Sequence, residues 1–230
     1  HVAVRRLLAI AERRGIGADL HTDEGLDGPV TITEFARIVE TWPADRIRTA
    51  GHCVRLGTLP EEELAPIVEA VVRARLGVVS LPITNLYLQG WGQPVSTPRG
   101  ITALRPLIDA GALVSAGADN VRDPFNPLGR SDPFETAMLL VVAGHVTLEE
   151  AWGLVSNCGR AVMGLPSAGT EPGQAAEFVA VPSANVGEAI AESPADRIVI
   201  HRGRCVARTT VDSRIVHPPI HPTPEAAIHG

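Results

Sequence analysis

Three short polar clusters follow directly on apolar runs in this sequence: His21-Thr22-Asp23-Glu24, Gly51-His52-Cys53 and Gly117-Ala118-Asp119-Asn120. Imidazole and carboxylate groups are what a catalytic divalent metal needs, with one position left open for a water whose pKa the metal lowers. On those grounds His21 and Asp119 suit the metal. Glu24 comes three residues after His21, already leaving the strand, where its carboxyl group reaches past the metal and carries a proton. His52, after the next run, is placed to hydrogen-bond a hydroxide or the oxyanion formed from it. Singly, each has a duller explanation: a satisfied polar residue at a strand end, or a helix cap in the case of Asp119. Coincidence at the same edge of three strands points to a site. The remaining histidines, His1, His145, His201, His217, His221 and His229, read as structural or solvent-exposed.

The elements that must position these groups alternate. A helical face of Val4, Leu7, Leu8 and Ala11 ends at Gly15 and Gly17, and β-like runs follow at Gly17 to Leu20, Ile47 to Ala50, Gly77 to Leu81 and Ala112 to Ala116. Between them lie helical patterns. Thr31-x-x-Glu34 and Thr58-x-x-Glu61 read as capping boxes, ahead of helices burying Ile32, Phe35, Ala36 and Val39, and Leu64, Ile67, Val68 and Val71. A third helix is expected from Ile101 to Ala110, with Leu104, Leu107 and Ile108 inward. Another begins near Asp132-Pro133, with Phe134, Met138 and Val141 inward. The next opens on the box Thr147-x-x-Glu150 and buries Leu148, Ala151, Trp152 and Val155. A spacing of roughly 30 residues is that of a βαβ unit, and short strands apolar throughout suit a parallel sheet covered on both faces. An open doubly wound sheet gives the same string. Chemistry at the ends of at least three strands favours half of a (β/α)8 barrel, because an open sheet gathers its ligand at one switch point.

The barrel portion is expected to span residues 1–165. From 166 to 230 the texture turns to Gly, Pro, Ser and Ala, with strands at Glu177 to Val181, Arg197 to His201 and Arg204 to Arg208 that read as part of a small β-domain. The Pro-rich end from His217 reads as an extended tail.

A content of 45% hydrophobic residues is ample for a core, while a net charge of -6 and 3% aromatics argue against a nucleic-acid partner. A small-molecule partner is expected instead. Cys53, Cys158 and Cys205 are odd in number and far apart, which supports neither a disulfide framework nor a thiolate metal site and fits a cytoplasmic protein. No apolar run is long enough for a membrane span. The chain opens at His1 on a helical pattern, as a portion of a longer polypeptide would.

The chain resembles the C-terminal half of the cytosine deaminase branch of the metal-dependent amidohydrolases. The matching pieces, in order, are His21-Thr22-Asp23-Glu24, Gly51-His52, Asn85 with Leu88-Gln89-Gly90, Arg99-Gly100-Ile101-Thr102, Gly117 to Pro124, and Pro127-Leu128-Gly129. The stretch from Gly173 to Arg208 is similar to the family's closing β-sandwich segment. The resemblance implies a TIM-type α/β barrel half followed by part of a β-sandwich, and one divalent ion, Fe2+ or Zn2+, held by His21 and Asp119. It implies Glu24 as proton shuttle, His52 as the histidine directing hydroxide and substrate, and Asp119 as acceptor of the water proton. Asn120 and Phe125 stand at positions that face the ring. The implied reaction is hydrolytic deamination of a small cyclic amidine such as cytosine, releasing ammonia, in a homo-oligomer. Isocytosine, creatinine or an s-triazine is the alternative ring. The family's first-strand His-x-His does not occur in this sequence, so a non-catalytic half-barrel is the reading from another class.

Overall fold

The computed structural model describes residues 2–216, so the tail expected from His217 lies outside the described residues. Helix α1 (Val2–Arg14) leads into strand β1 (Ala18–Thr22), and helix α2 (Ile32–Val39) into β2 (Arg48–His52). A 3-10 turn (Val54–Thr58) and helix α3 (Glu61–Arg73) precede β3 (Gly77–Ser80). Helices α4 (Pro82–Leu88) and α5 (Leu104–Asp109) precede β4 (Val114–Ala116), and α6 (Pro133–Gly144), α7 (Leu148–Leu154) and α8 (Asn157–Val162) follow it.

All four strands are parallel and lie side by side in chain order, β1-β2-β3-β4. A doubly wound sheet requires a reversal of strand order, and there is none among these strands. This is therefore the winding of half a (β/α)8 barrel, with every strand's C-terminal end on one rim. Leu8, Phe35, Leu56, Val71, Val78 and Leu140 are at most 0% exposed in the core between strands and helices. A second sheet, of β5 (Phe178–Ala180), β6 (Arg197–His201) and β7 (Arg204–Thr209), is antiparallel in the order β5-β6-β7. Helix α9 (Val186–Glu192) links its first two strands, and α9's Ala189 and Ile190 join the same buried cluster as the barrel residues. No helix among the described residues is long and apolar enough to cross a membrane.

Local expectations fail in instructive ways. Thr31 makes no capping bond, because the Asp23 carboxylate reaches the start of α2 from the loop after β1. It accepts from Thr31 N (2.7 Å), from the Thr31 hydroxyl and from Ile32 N (3.0 Å). Glu34 pairs instead with Arg37 and Arg5. Thr58 ends the 3-10 turn and donates to Leu26 O, and Pro60 stands at the head of α3. Only the third box forms, with Thr147 and Glu150 bonded reciprocally. Leu7, Met138 and Leu148, expected inward, are exposed because each stripe is narrower than its hydrophobic residues suggest. Helices α4 and α9 are too short to show a period.

Candidate active site

Parallel pairing puts Thr22 of β1 opposite His52 of β2, one residue beyond the pair His21 and Gly51. Both strands thus run to the rim, two residues further than their apolar runs, and carry the histidines with them. Strand β2 breaks where His52 and Cys53 take left-handed φ values of +69° and +51°. That conformation costs about 1 kcal/mol or more per non-glycine residue and persists where the surroundings over-determine it. Here they do: Cys53 N donates to Thr22 O (2.9 Å), and the Thr102 hydroxyl donates to His52 O (2.6 Å) while accepting from Ser80 Oγ (3.0 Å).

The expected groups converge. His52 Nε2 lies 3.1 Å from His21 Nδ1 and 3.6 Å from Asp119 Oδ2, and His21 Nε2 lies 4.0 Å from Asp119 Oδ2. Glu24 closes the group from the other side, with Oε1 3.6 Å from His52 Nδ1 and Oε2 3.9 Å from His21 Nδ1. Burial differs sharply: the His21 side chain is 72% exposed and that of His52 1%. Desolvation pushes the His52 pKa down, against the opposing pull of the Glu24 charge, so the ring favours its neutral form. Cys53, wholly buried beside it, has its thiol pushed up by the same burial and is no nucleophile.

Two ligands of one ion with bonds of about 2.1 Å stand no more than about 4.2 Å apart, and the 4.0 Å between His21 and Asp119 fits that limit. His21, Glu24 and His52 also present donor atoms within 4.8 Å of one another, so the imidazole and carboxylate set suits a divalent cation on either choice of ligands. Asn120 donates its amide to Asp123 Oδ2 (2.7 Å), turning its NH2 into its own loop. Phe125, at the tip of that loop, is 62% exposed. A cavity of about 740 Å³ lined by Ala116, Phe134, Trp152, Met163, Phe178 and Val199 lies toward the second sheet and touches none of the four central residues.

The support comes from a segment to which the sequence assigned no chemistry. Helix α4 follows β3 and buries Thr84 and Asn85 completely. Thr84 Oγ1 accepts from the Asn120 backbone N–H, Asn85 Nδ2 donates to His52 Nδ1 (3.0 Å), and Gln89, just past the helix, donates to Glu24 O (2.8 Å). Asn85 and Gln89 belong to the matching pieces quoted above, but nothing in their spacing gave them a role. Polar residues ending an apolar run at Ser80 were the available signal.

Residues 1–217 match the amidohydrolase family. A pterin deaminase of Rhizobium rhizogenes is 32% identical over 215 residues, covering 91% of this chain and 49% of that protein. Among solved structures, a 5-methylcytosine deaminase from Klebsiella pneumoniae liganded with 5-fluorocytosine superposes with a TM-score of 0.83 at 20% identity, over 94% of this chain and 54% of that one. An N-isopropylammelide isopropylaminohydrolase from Burkholderia multivorans gives 0.72 at 28% identity, over 90% and 51%. The chain thus spans about half the length of the relatives it matches. With the family matched across nearly all of its length and the donor groups gathered on one rim, the chain belongs to the amidohydrolase family.

Proposed function

We propose that the protein is a metal-dependent hydrolytic deaminase of a small nitrogen heterocycle, and that the amine-bearing ring of a pterin is its first candidate substrate. The observation that carries the reading is the convergence of His21, Glu24, His52 and Asp119 at separations of 3.1 to 4.0 Å on one rim. The 32% identity to a pterin deaminase supports the choice of ring. A pterin contains a 2-amino-4-oxopyrimidine, which is the ring of isocytosine, so it presents the cyclic amidine that the residues suit. Cytosine, with its amine on another carbon, is the second candidate.

In this reading His21 and Asp119 hold the divalent ion, Fe2+ or Zn2+. The ion, when bound, supplies Lewis acidity and a water activated near neutral pH. Asp119 takes the proton of the attacking water. Glu24 delivers a proton to the ring nitrogen as the amidine carbon becomes tetrahedral, and the amine then leaves as ammonia with a second proton, so water and substrate become oxo product and ammonia. His52 donates from Nε2 to the oxygen on that carbon and, with Asn120 and Phe125, positions the ring.

The test is a panel on the intact, metal-loaded protein: pterin, isocytosine, cytosine, creatinine and an amino-s-triazine, with ammonia release and metal content as readouts. Ammonia from pterin or isocytosine at a rate well above cytosine bears the reading out. A protein that binds metal and releases ammonia from none of the five sinks it.

A further inference from the structure

The Nδ1 side of the His52 ring faces away from the cluster formed by His21 and Asp119, into a fully buried carboxamide. Asn85 Nδ2 lies 3.0 Å from Nδ1, within hydrogen-bond range, whereas the Glu24 carboxylate, at 3.6 Å from the same nitrogen, is beyond it. On the other side of the ring, Nε2 lies 3.1 Å from His21 Nδ1, which donates or accepts according to its own tautomer, and 3.6 Å from the Asp119 carboxylate. A neutral imidazole carries one proton, so the two sides of the ring are coupled. An N–H aimed at Nδ1 needs the lone pair of that nitrogen, which leaves the ring proton on Nε2.

From this geometry we infer that Asn85 is a positioning residue, whose amide N–H fixes His52 as the Nε2–H tautomer and so presents a hydrogen-bond donor to the reacting oxygen. The inference rests on the deaminase reading only for its last step. The tautomer itself follows from the buried contact. Asn85 Oδ1 is buried with no hydrogen-bond partner among the described residues. A carboxamide chosen for stability would have both ends satisfied. This one has its donor used and its acceptor orphaned, as expected of a group kept for its N–H. The same helix holds the Asn120 backbone through Thr84, and Gln89 holds the carbonyl of Glu24, so α4 and its exit tie three of the chemical positions to one strut.

The experiment reads the ring directly. In the intact protein with 15N-labelled histidine, loaded with diamagnetic zinc, the His52 resonances are assigned by difference from His52→Gln. The expected spectrum has an unprotonated Nδ1 and a protonated Nε2. In Asn85→Asp, which keeps the shape and replaces the donor by an acceptor, a proton appears on Nδ1. Asn85→Leu removes the donor and the orphaned oxygen together; it is expected to keep stoichiometric metal and a Tm within about 5 °C of the parent, and to lose on the order of 10-fold or more in kcat with KM changed less than about threefold. A parent spectrum with the proton on Nδ1 overturns the inference, since the amide would then be turned to accept. So does an Asn85→Leu protein whose kcat is unchanged. The parent spectrum needs no substrate and decides the tautomer even if the substituted proteins fail to fold. A parent protein with the expected tautomer that releases ammonia from no substrate counts against the deaminase reading and leaves the assignment of the proton standing.

Discussion

Strand β2 buries all five of its residues, Arg48 through His52, whereas β7 leaves all six of its residues, Arg204 through Thr209, exposed. In β2 every buried polar side chain must find a partner. Arg48 donates to Val39 O (2.8 Å) and Pro43 O (2.8 Å), and His52 meets Asn85. In β7 the side chains stand in solvent: Val206 is 57% exposed, and Cys205 reaches only the Ala207 carbonyl of its own strand, at 3.6 Å. The difference teaches where chemistry can be held to tenths of an ångström: on the sheet whose burial leaves no alternative arrangement of its polar atoms.

The sharpest way to break that comparison is to empty the barrel side of it. Phe35→Ala removes a ring with 0% exposure from the layer behind β1 and β2, and is expected to cost about 3 to 5 kcal/mol in urea unfolding of the intact protein. A loss below about 1 kcal/mol would mean that the barrel is no more tightly determined than the small sheet.

Next in size is a change that spares the fold. Glu24→Gln should leave metal content and Tm unaltered, because the side chain is partly exposed, and lower kcat by about 10²-fold or more if, as proposed, it carries the proton. Loss of metal with this substitution would move Glu24 into the ligand set.

A smaller effect lies in the pH dependence of stability. The Arg105 guanidinium, 2.6 Å away, together with the Thr147 N–H, lowers Glu150 from its ordinary 4.5 to about 2. A depressed folded pKa means stability present above the unfolded value and lost as pH falls through the folded one. Between about pH 4.5 and 2, unfolding midpoints of the parent should therefore fall more steeply than those of Glu150→Gln. Parallel curves would show that the pair is screened into irrelevance.

The smallest expected effect tests the other sheet. Val206→Ala, at a residue 57% exposed, should change stability by less than about 0.5 kcal/mol in the same assay. A cost near 2 kcal/mol would reveal that β7 is covered in the intact protein, and the contrast with β2 would dissolve.

Much of the barrel side was legible in the sequence because its signals are local. Ile32, Phe35, Ala36 and Val39, and likewise Leu64, Ile67, Val68 and Val71, repeat at helical spacing and are buried as that spacing requires. His21 and His52 follow apolar runs and Asp119 lies three residues past the last, so parallel pairing from β1 to β4 brings all three toward one rim. What the sequence hid is long-range. Asp23 caps α2 from the preceding loop, and no pattern of neighbouring residues distinguishes that from the Thr31 box it replaces. Asn85 meets His52 across 33 positions, and an asparagine in a seven-residue helix carries no periodic signature. The candidate chemical groups were visible in the sequence, while the contacts that hold them were found only in three dimensions.

The loop after β4 has a consequence of another kind. Asp123 accepts from the N–H groups of Phe125 and Asn126 and from the Asn120 amide, and Asn126 donates to Asn120 O and accepts from Leu128 N. The loop therefore keeps its shape by backbone groups and the Asp123, Asn120 and Asn126 side chains, while Phe125 and Leu128, 62% and 60% exposed, contribute to it through their backbone and little through their side chains. Exchanging either should cost the fold almost nothing. Either side chain can therefore be replaced without breaking a bond that holds the loop, so the rim tolerates change in bulk and polarity that the buried strands beneath it do not.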